Sequence, residues 1–355
     1  MAKLIGFLAY LYVGSIPEKK VNHIMKKPFK ILSVDGGGIK GLYSSTILEH
    51  LEHKYRCNCS DYFDLFCGTS SGGLIVLSLS LKIPASEVSN IYEKHGHEIF
   101  PKQNKFVSLF RQTLWRGKYS DEPLKKVLTG LFGEIPISES NNLLCIPTYS
   151  YTDARPWVFK FDHKEGPLDR DNKAKYVDVA LATSAAPTFF PLCEIDYYDH
   201  KQFIDGGVWA NNPSLIGVLE ALKYFTGNEE HQYDGIQILS VSSLNTISGK
   251  MTGLNRKRSF VHWGNDLFET AMIGQSKFTD HFLSKLHELK GIPIEYTRIP
   301  SEDISGEQQH LVQLDNSTKK ALHLIRGKGN DRGTLASKDP EIAKFFQNYK
   351  SYKTH

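Results

Sequence analysis

Between residues 29 and 81 the chain twice runs from a short apolar stretch, through a glycine-rich turn, into a segment with an apolar face. Phe29–Val34 is rich in strand formers and ends in Asp35-Gly36-Gly37-Gly38. From Gly41 onward, Leu48, Leu51 and Tyr55 recur at the three-to-four spacing of a helix face. Tyr62–Cys67 reads as a second buried strand. It leads into Gly68-Thr69-Ser70-Ser71-Gly72 and then a mostly apolar helix over Leu74–Leu81. Strands that are apolar throughout, alternating with helices, belong to a parallel sheet covered on both faces; a strand with one wet face would alternate polar and apolar residues. The fold class expected is α/β with a mainly parallel central sheet.

The later chain continues in this vein. Amphipathic helices are expected at Ser86–Glu98 and Ser120–Leu131, each with a serine placed to cap it. Strands are expected at Leu143–Pro147 and Trp157–Phe161, and a helix at Val177–Ser184. A short strand, Phe203–Ile204, leads into Asp205-Gly206-Gly207, and Ile236–Val241 is a further buried strand. Beyond it the pattern is helical, at Val261–Leu289, Ser317–Ile325 and Pro340–Tyr349. With no repeat and no long linker, the organisation expected is an N-terminal extension over 1–28, a catalytic core over 29–245, and a mainly helical C-terminal portion over 246–355 packed on it. The extension holds one apolar run, Leu4–Val13 behind Lys3. It reads as a signal-peptide core with small residues at Val13 and Ser15, as a peripheral element, or as sequence ahead of a natural start at Met25. No run approaches the roughly 18 apolar residues of a spanning helix.

Composition excludes several classes. With 40% hydrophobic and 23% charged residues the chain is globular rather than disordered. The 43 basic and 39 acidic residues nearly cancel, so there is no basic excess suited to a nucleic-acid polymer, only a mild preference for anionic surfaces. Five cysteines without a CxxC pair support neither a zinc site nor a disulfide framework. They read as reduced thiols of a cytosolic protein. Neither a metal nor a cofactor is expected.

Gly68-Thr69-Ser70-Ser71-Gly72 matches G-x-S-x-G between an apolar strand and an apolar helix. There a sharp turn exposes the serine hydroxyl, flanking glycines let the two arms approach, and the helix N-terminus favours a developing anion. Ser71 is the neighbouring alternative nucleophile, without the flanking symmetry. An ordinary β–α turn gives the same five letters.

Gly36, Gly38 and Gly41 also satisfy G-x-G-x-x-G, the dinucleotide fingerprint. That reading needs an acidic residue ending a second strand about 20 positions on. The span Glu52–Asp61 falls inside the expected helix, and the next strand ends in Cys-Gly-Thr-Ser instead. The competing reading is an oxyanion hole built from bare glycine amides. Lys40 is either a solvated charge of the first helical turn or a helper for an anionic headgroup. Asp205-Gly206-Gly207 is by itself an ordinary turn, but a serine needs a base. None of the 14 histidines sits in a triad-like context, and His200 and His262 read as surface or structural residues.

Taken in order, Asp-Gly-Gly-Gly-x-Lys-Gly, Gly-x-Ser-x-Gly, Ala182-Thr183-Ser184-Ala185-Ala186-Pro187-Thr188-Phe189-Phe190 and Asp205-Gly206-Gly207 resemble the patatin-like phospholipases, as does the Asn211-Asn212-Pro213 continuation. The resemblance implies a three-layer α/β/α sandwich. It also implies a Ser–Asp dyad of Ser70 as nucleophile and Asp205 as base, with Gly36, Gly37 and Gly38 as the oxyanion hole. Asp35, Lys40, Gly41, Gly68, Gly72, Gly206 and Gly207 complete the matched motifs. The implied reaction is acyl-ester hydrolysis of membrane phospholipid through an acyl-enzyme, by a cytoplasmic protein acting peripherally on the membrane, or a secreted one if a signal peptide is present. A pH–rate profile set by an ionisation near 6.5 would point to a histidine instead. One departure is Ser242-Ser243, where many relatives carry Gly-Thr-Gly.

The layout also looks like the patatin effectors of anti-phage systems, which implies a cyclic-nucleotide activator and leaves a homo-oligomer open. The aromatic stretch Phe106–Trp115, with Arg111 and Arg116, reads as an interfacial patch or as a half-buried amphipathic helix. Two other classes stand beside this one: a dinucleotide-dependent oxidoreductase using the 36–41 loop, and a non-catalytic lipid-binding module.

Overall fold

Both strand–glycine–helix units form as the patterning requires. In a computed structural model, residues 27–102, 117–226, 233–245, 265–286 and 293–354 are described, with isolated positions at 253, 256 and 257. The Leu4–Val13 run, the Met25 start and the Phe106–Trp115 patch lie outside the described residues. The first unit is β1 (Pro28–Val34) and α1 (Gly41–Tyr55), joined by the glycine loop. The second is β2 (Leu65–Gly68) and α2 (Ser71–Ser80). There follow α3 (Ala85–Ile99), α4 (Glu122–Phe132), β3 (Leu143–Ser150), β4 (Arg155–Lys160) and α5 (Tyr176–Ser184). Then come β5 (Cys193–Ile195), β6 (Lys201–Asp205), α6 (Gly207–Ala210), α7 (Ser214–Tyr224) and β7 (Gly235–Val241). The chain continues with α8 (Asn265–Leu286), β8 (Ile294–Ile299) and α9 (Lys319–Ala336).

The strands make one sheet in the order β5-β6-β3-β2-β1-β7-β8, with β4 paired to β3. The pairs β3–β2–β1–β7–β8 are all parallel, and β4, β5 and β6 add antiparallel pairings at one side. β1 is buried at every position after Pro28, and β2 throughout, because both faces are covered. On one face Ser214 at the start of α7 is hydrogen-bonded to Ser33 (2.8 Å) and Ser240 (3.1 Å). On the other, Val76 of α2 rides against Gly68. The result is a mainly parallel α/β/α sandwich. Of the five cysteines, all free, four are buried and Cys57 is half-buried.

The expected element boundaries shift where partners outside the local sequence decide. α3 starts one residue before Ser86, capped by the backbone at Pro84 and not by a serine. Ser120 does accept a hydrogen bond, from the Glu122 N–H at 3.3 Å, but α4 begins at Glu122. α9 runs past Ile325 to Ala336 through three glycines. A helical glycine costs about 1 kcal/mol against alanine. Here Gly329 and Gly333 let α9 lie on α1, for a Cβ at Gly329 would sit 2.7 Å from the Thr46 Cβ and one at Gly333 2.8 Å from His50. The Pro340–Tyr349 helix stops after Ala343 and a single 3-10 turn, because buried Lys30 draws its ammonium to the carbonyls of Phe345 and Asn348.

The largest difference lies at the sheet edge. The region after residue 245, read as helical, supplies β8, whose register pairs Arg298 with Ser240 of β7. Arg298 reaches across to the end of β1, donating to both Asp35 oxygens at 3.2 and 2.6 Å and to the Ser240 hydroxyl at 2.6 Å. Ser276 of α8 donates to the same carboxylate at 2.5 Å. Burial opposes the guanidinium charge, but Asp35 more than compensates and holds it firmly protonated. Removing one partner of such a pair leaves an uncompensated buried charge. Arg298→Met is expected to lower stability by about 3–5 kcal/mol, measured by urea denaturation. A loss within about 0.5 kcal/mol, the range of an ordinary surface substitution, would show that the pair does not hold the edge.

Candidate active site

The turn after β2 places Ser70 at φ 52°, ψ −124°, a left-handed backbone that a serine adopts only when its surroundings impose it. The glycines on either side show what imposes it. A Cβ at Gly68 would stand 2.3 Å from the Gly72 carbonyl oxygen, and one at Gly72 only 2.2 Å from the Val34 carbonyl oxygen. The Ser70 N–H donates to Thr183 Oγ1 (3.0 Å), whose hydroxyl donates to the Pro147 carbonyl (2.6 Å). This fixes the turn to α5 and β3.

Asp205 ends β6, where its partner across the antiparallel ladder is Thr148. Its N–H donates to the Ala185 carbonyl (2.9 Å), and its Oδ1 accepts the Gly207 N–H (2.7 Å). Ser70 and Asp205 line the same cavity, close enough for the Ser70 hydroxyl to favour the ionised carboxylate. Asp205 is 1% exposed and Ser70 6%. Burial pushes the Asp205 carboxyl up to about 7, against the smaller opposing effects of the Gly207 amide and the Ser70 hydroxyl. A carboxyl at that value is a base poised near neutrality. It also means that a profile set near pH 6.5 does not single out a histidine, and no histidine lines the cavity that holds the pair.

The glycine loop divides its roles. The Gly36 N–H, expected to face an oxyanion, donates instead to the Asn211 carbonyl at 3.0 Å. The N–H groups of Gly37 and Gly38 have no acceptor among the described residues. Gly38 sits at φ +57°, with the Leu314 carbonyl 2.4 Å from where a Cβ would be. That backbone cover, with Ile39 N–H bonded to Leu314 O at 2.8 Å, occupies the space a pyrophosphate would need, and β2 ends in Gly68 rather than an acid. The dinucleotide reading therefore finds no site here.

Lys40 is neither solvated nor a free headgroup ligand. It is 1% exposed and paired to Glu269 of α8 at 3.0 Å. Asp35 holds Arg298, as described above. Gly41 admits the Tyr92 hydroxyl, Gly206 lies on the Pro147 carbonyl, and Gly207 flanks the Asp205 oxygen. Ser71 opens α2, and its buried hydroxyl has no partner among the described residues. His200 is 70% exposed on the β5–β6 hairpin beside Glu194 and Asp196, and His262 lies outside the described residues.

The Ser70–Asp205 pair opens into a cavity of about 60 Å3 with apolar walls that include Ile99, Phe100, Phe190, Phe268, Met272 and Leu314. Of these only Phe190 belongs to a motif read from the sequence; the other five were not singled out as site residues. Only the Phe268–Met272 spacing on one helical face hinted at a shared apolar neighbour.

The patatin-like phospholipase family model matches residues 32–218. The chain belongs to the patatin-like phospholipase family. Three bacterial relatives are each described as a cGAMP-activated phospholipase. The Pseudomonas aeruginosa protein is 30% identical over 89% of this chain and 91% of its own length. That of Vibrio cholerae is 32% identical over 91% and 96%. The Escherichia coli protein is 28% identical over 92% and 95%. As a patatin-like phospholipase the chain is a hydrolase acting on ester bonds, and no helix among its described residues is long and apolar enough to cross a membrane.

Two outcomes are expected. Asp205 stays protonated in the folded chain up to about pH 7, while an unperturbed aspartate ionises near 3.8. Its burial therefore costs nothing below about pH 4, an increasing amount as pH rises to about 7, and a constant amount above that. Asp205→Asn should gain about 2–3 kcal/mol on the wild type between pH 5 and pH 8, read from urea midpoints; a pH-independent difference would show that the carboxyl titrates normally. The second concerns Gly37, where a Cβ would lie 2.0 Å from Ser243 Oγ. Gly37→Ala is expected to cut kcat/KM by about 100-fold or more. Ser243→Gly should restore much of that loss, and a double variant no better than Gly37→Ala would mean that the clash is not the cause.

Proposed function

We propose that Ser70 and Asp205 form the catalytic dyad of a cyclic-nucleotide-activated phospholipase that works at the membrane surface, in defence against phage. The observation that carries the reading is the desolvated Asp205 carboxylate beside a serine held at positive φ, in a cavity whose walls suit an acyl chain. Asp205 takes the Ser70 proton as the hydroxyl oxygen attacks an ester carbonyl. The Gly37 and Gly38 N–H groups receive the oxyanion, and the lysolipid oxygen leaves with the proton from Asp205. Water, deprotonated by Asp205, then attacks the acyl-enzyme, and the fatty acid is released as the Ser70 oxygen leaves with that proton from Asp205. The activator is carried over from relatives described as cGAMP-activated that align along about nine-tenths of both chains.

A fluorophosphonate probe is expected to label the wild type and leave Ser70→Ala unlabelled, and a label on another serine would overturn the assignment. Fatty-acid release from phospholipid vesicles should rise at least about tenfold with cGAMP, and kcat/KM should rise with pH through about 7 as Asp205 ionises. Equal rates with and without the nucleotide would remove the activator from the proposal and leave the dyad standing.

A further inference from the structure

Helix α8 has two apolar faces, and only one belongs to the interior. Its inner face supplies Phe268 and Met272 to the wall of the active-site cavity. That face is fastened by Lys40 to Glu269 (3.0 Å), by Ser276 to Asp35 (2.5 Å) and by the Asn212 N–H to the Gln275 side-chain Oε1 (2.8 Å). The outer face carries Leu267, Phe278 and Phe282, exposed by 50, 65 and 41%. The rings of Phe278 and Phe282 lie one helical turn apart, with centroids 6.3 Å from each other. They are the only strongly exposed phenylalanines among the described residues. No packing requirement of the fold accounts for them.

Charge on the helix is sorted in the same way. The carboxylates Glu269 and Asp280 are turned to Lys40 and to Tyr296 and Arg298 respectively, whereas Lys277 and His281, next to Phe278 and Phe282 in the chain, are exposed. Exposed aromatic rings beside a lysine, with the helix carboxylates Glu269 and Asp280 engaged by Lys40, Tyr296 and Arg298, suit an interfacial helix on an anionic bilayer: rings enter the acyl boundary and the ammonium meets phosphate. The cavity on the other side of the same helix, at about 60 Å3, is far below the roughly 300–1,000 Å3 of an occupied ligand pocket. α8 is a wall of that cavity that also faces outward.

We infer that the Leu267–Phe278–Phe282 face of α8 is the surface by which the protein docks on an anionic phospholipid bilayer, bringing the membrane to the mouth of the Ser70–Asp205 cavity. This inference rests on the phospholipase reading above, and the two fail differently.

The test is flotation of the full chain with vesicles of phosphatidylcholine alone or with added phosphatidylglycerol, each with and without cGAMP. Wild type and Ser70→Ala are expected to float with the anionic vesicles and less with the neutral ones. Phe278→Ser/Phe282→Ser should bind at least about tenfold more weakly while matching the wild type in thermal melting and in hydrolysis of a soluble short-chain ester. Lys277→Glu should erase the preference for anionic lipid. The inference is overturned if wild type floats in no arm, if the double variant floats as wild type does, or if the double variant instead converts a wild-type dimer to monomer, which would assign the face to a second copy. Wild type that floats but releases no fatty acid would sink the phospholipase reading and leave the docking face intact.

Discussion

The Asp35–Arg298 ion pair joins residues 263 positions apart and sits where the architecture turns into a site. Asp35 is the first residue after β1 and the last before the glycine loop. Its carboxylate is 1% exposed, so it is tolerable only because Arg298 and Ser276 together supply three hydrogen bonds. Those donors come from the edge strand β8 and from α8. One buried charge therefore fixes the start of the glycine loop, the outermost parallel strand and the helix that walls the cavity. Lys40, five residues on, repeats the device by burying its ammonium against Glu269 of the same helix.

The site itself runs against stability. Asp205 is placed where burial makes its charged form expensive, with one backbone amide and the Ser70 hydroxyl as the named compensation. Ser70 is held in a backbone conformation that costs of order 1–3 kcal/mol. Sites that hold a base near neutrality and a nucleophile in a strained turn draw on the surplus of the surrounding core. Here that surplus is the buried sheet centre, with β1 and β2 covered on both faces.

Much of this was legible in the chain. The β1 and β2 patterns are mostly apolar, broken in β1 by Lys30 and Ser33, and do not alternate as a strand with one wet face would. Gly68 and Gly72 mark the elbow because the close approach excludes any side chain, so the constraint is written in the residue type. Less legible was anything decided by contacts distant in sequence. The helix expected to end at Ile325 continues to Ala336, and Gly329 and Gly333 are small where it lies on α1. Ile294–Ile299 is short, polar in part and an edge strand, so its periodicity carries little information. Lys40 looks like any first-turn lysine until α8 is placed above it.

The sequence by itself determined the parallel α/β core, the order of the glycine loop, serine elbow and Asp-Gly-Gly turn, and through them the family. These are local: the residue type at each position already states the backbone it permits. The tertiary structure alone decided that Gly36 lends its amide to Asn211 while Gly37 and Gly38 keep theirs, that Asp205 is driven toward neutrality, and that the C-terminal part supplies β8, Arg298 and the cavity wall. Each of those depends on burial or on a partner far along the chain, and neither desolvation nor a long-range contact leaves a mark in a short stretch of residues.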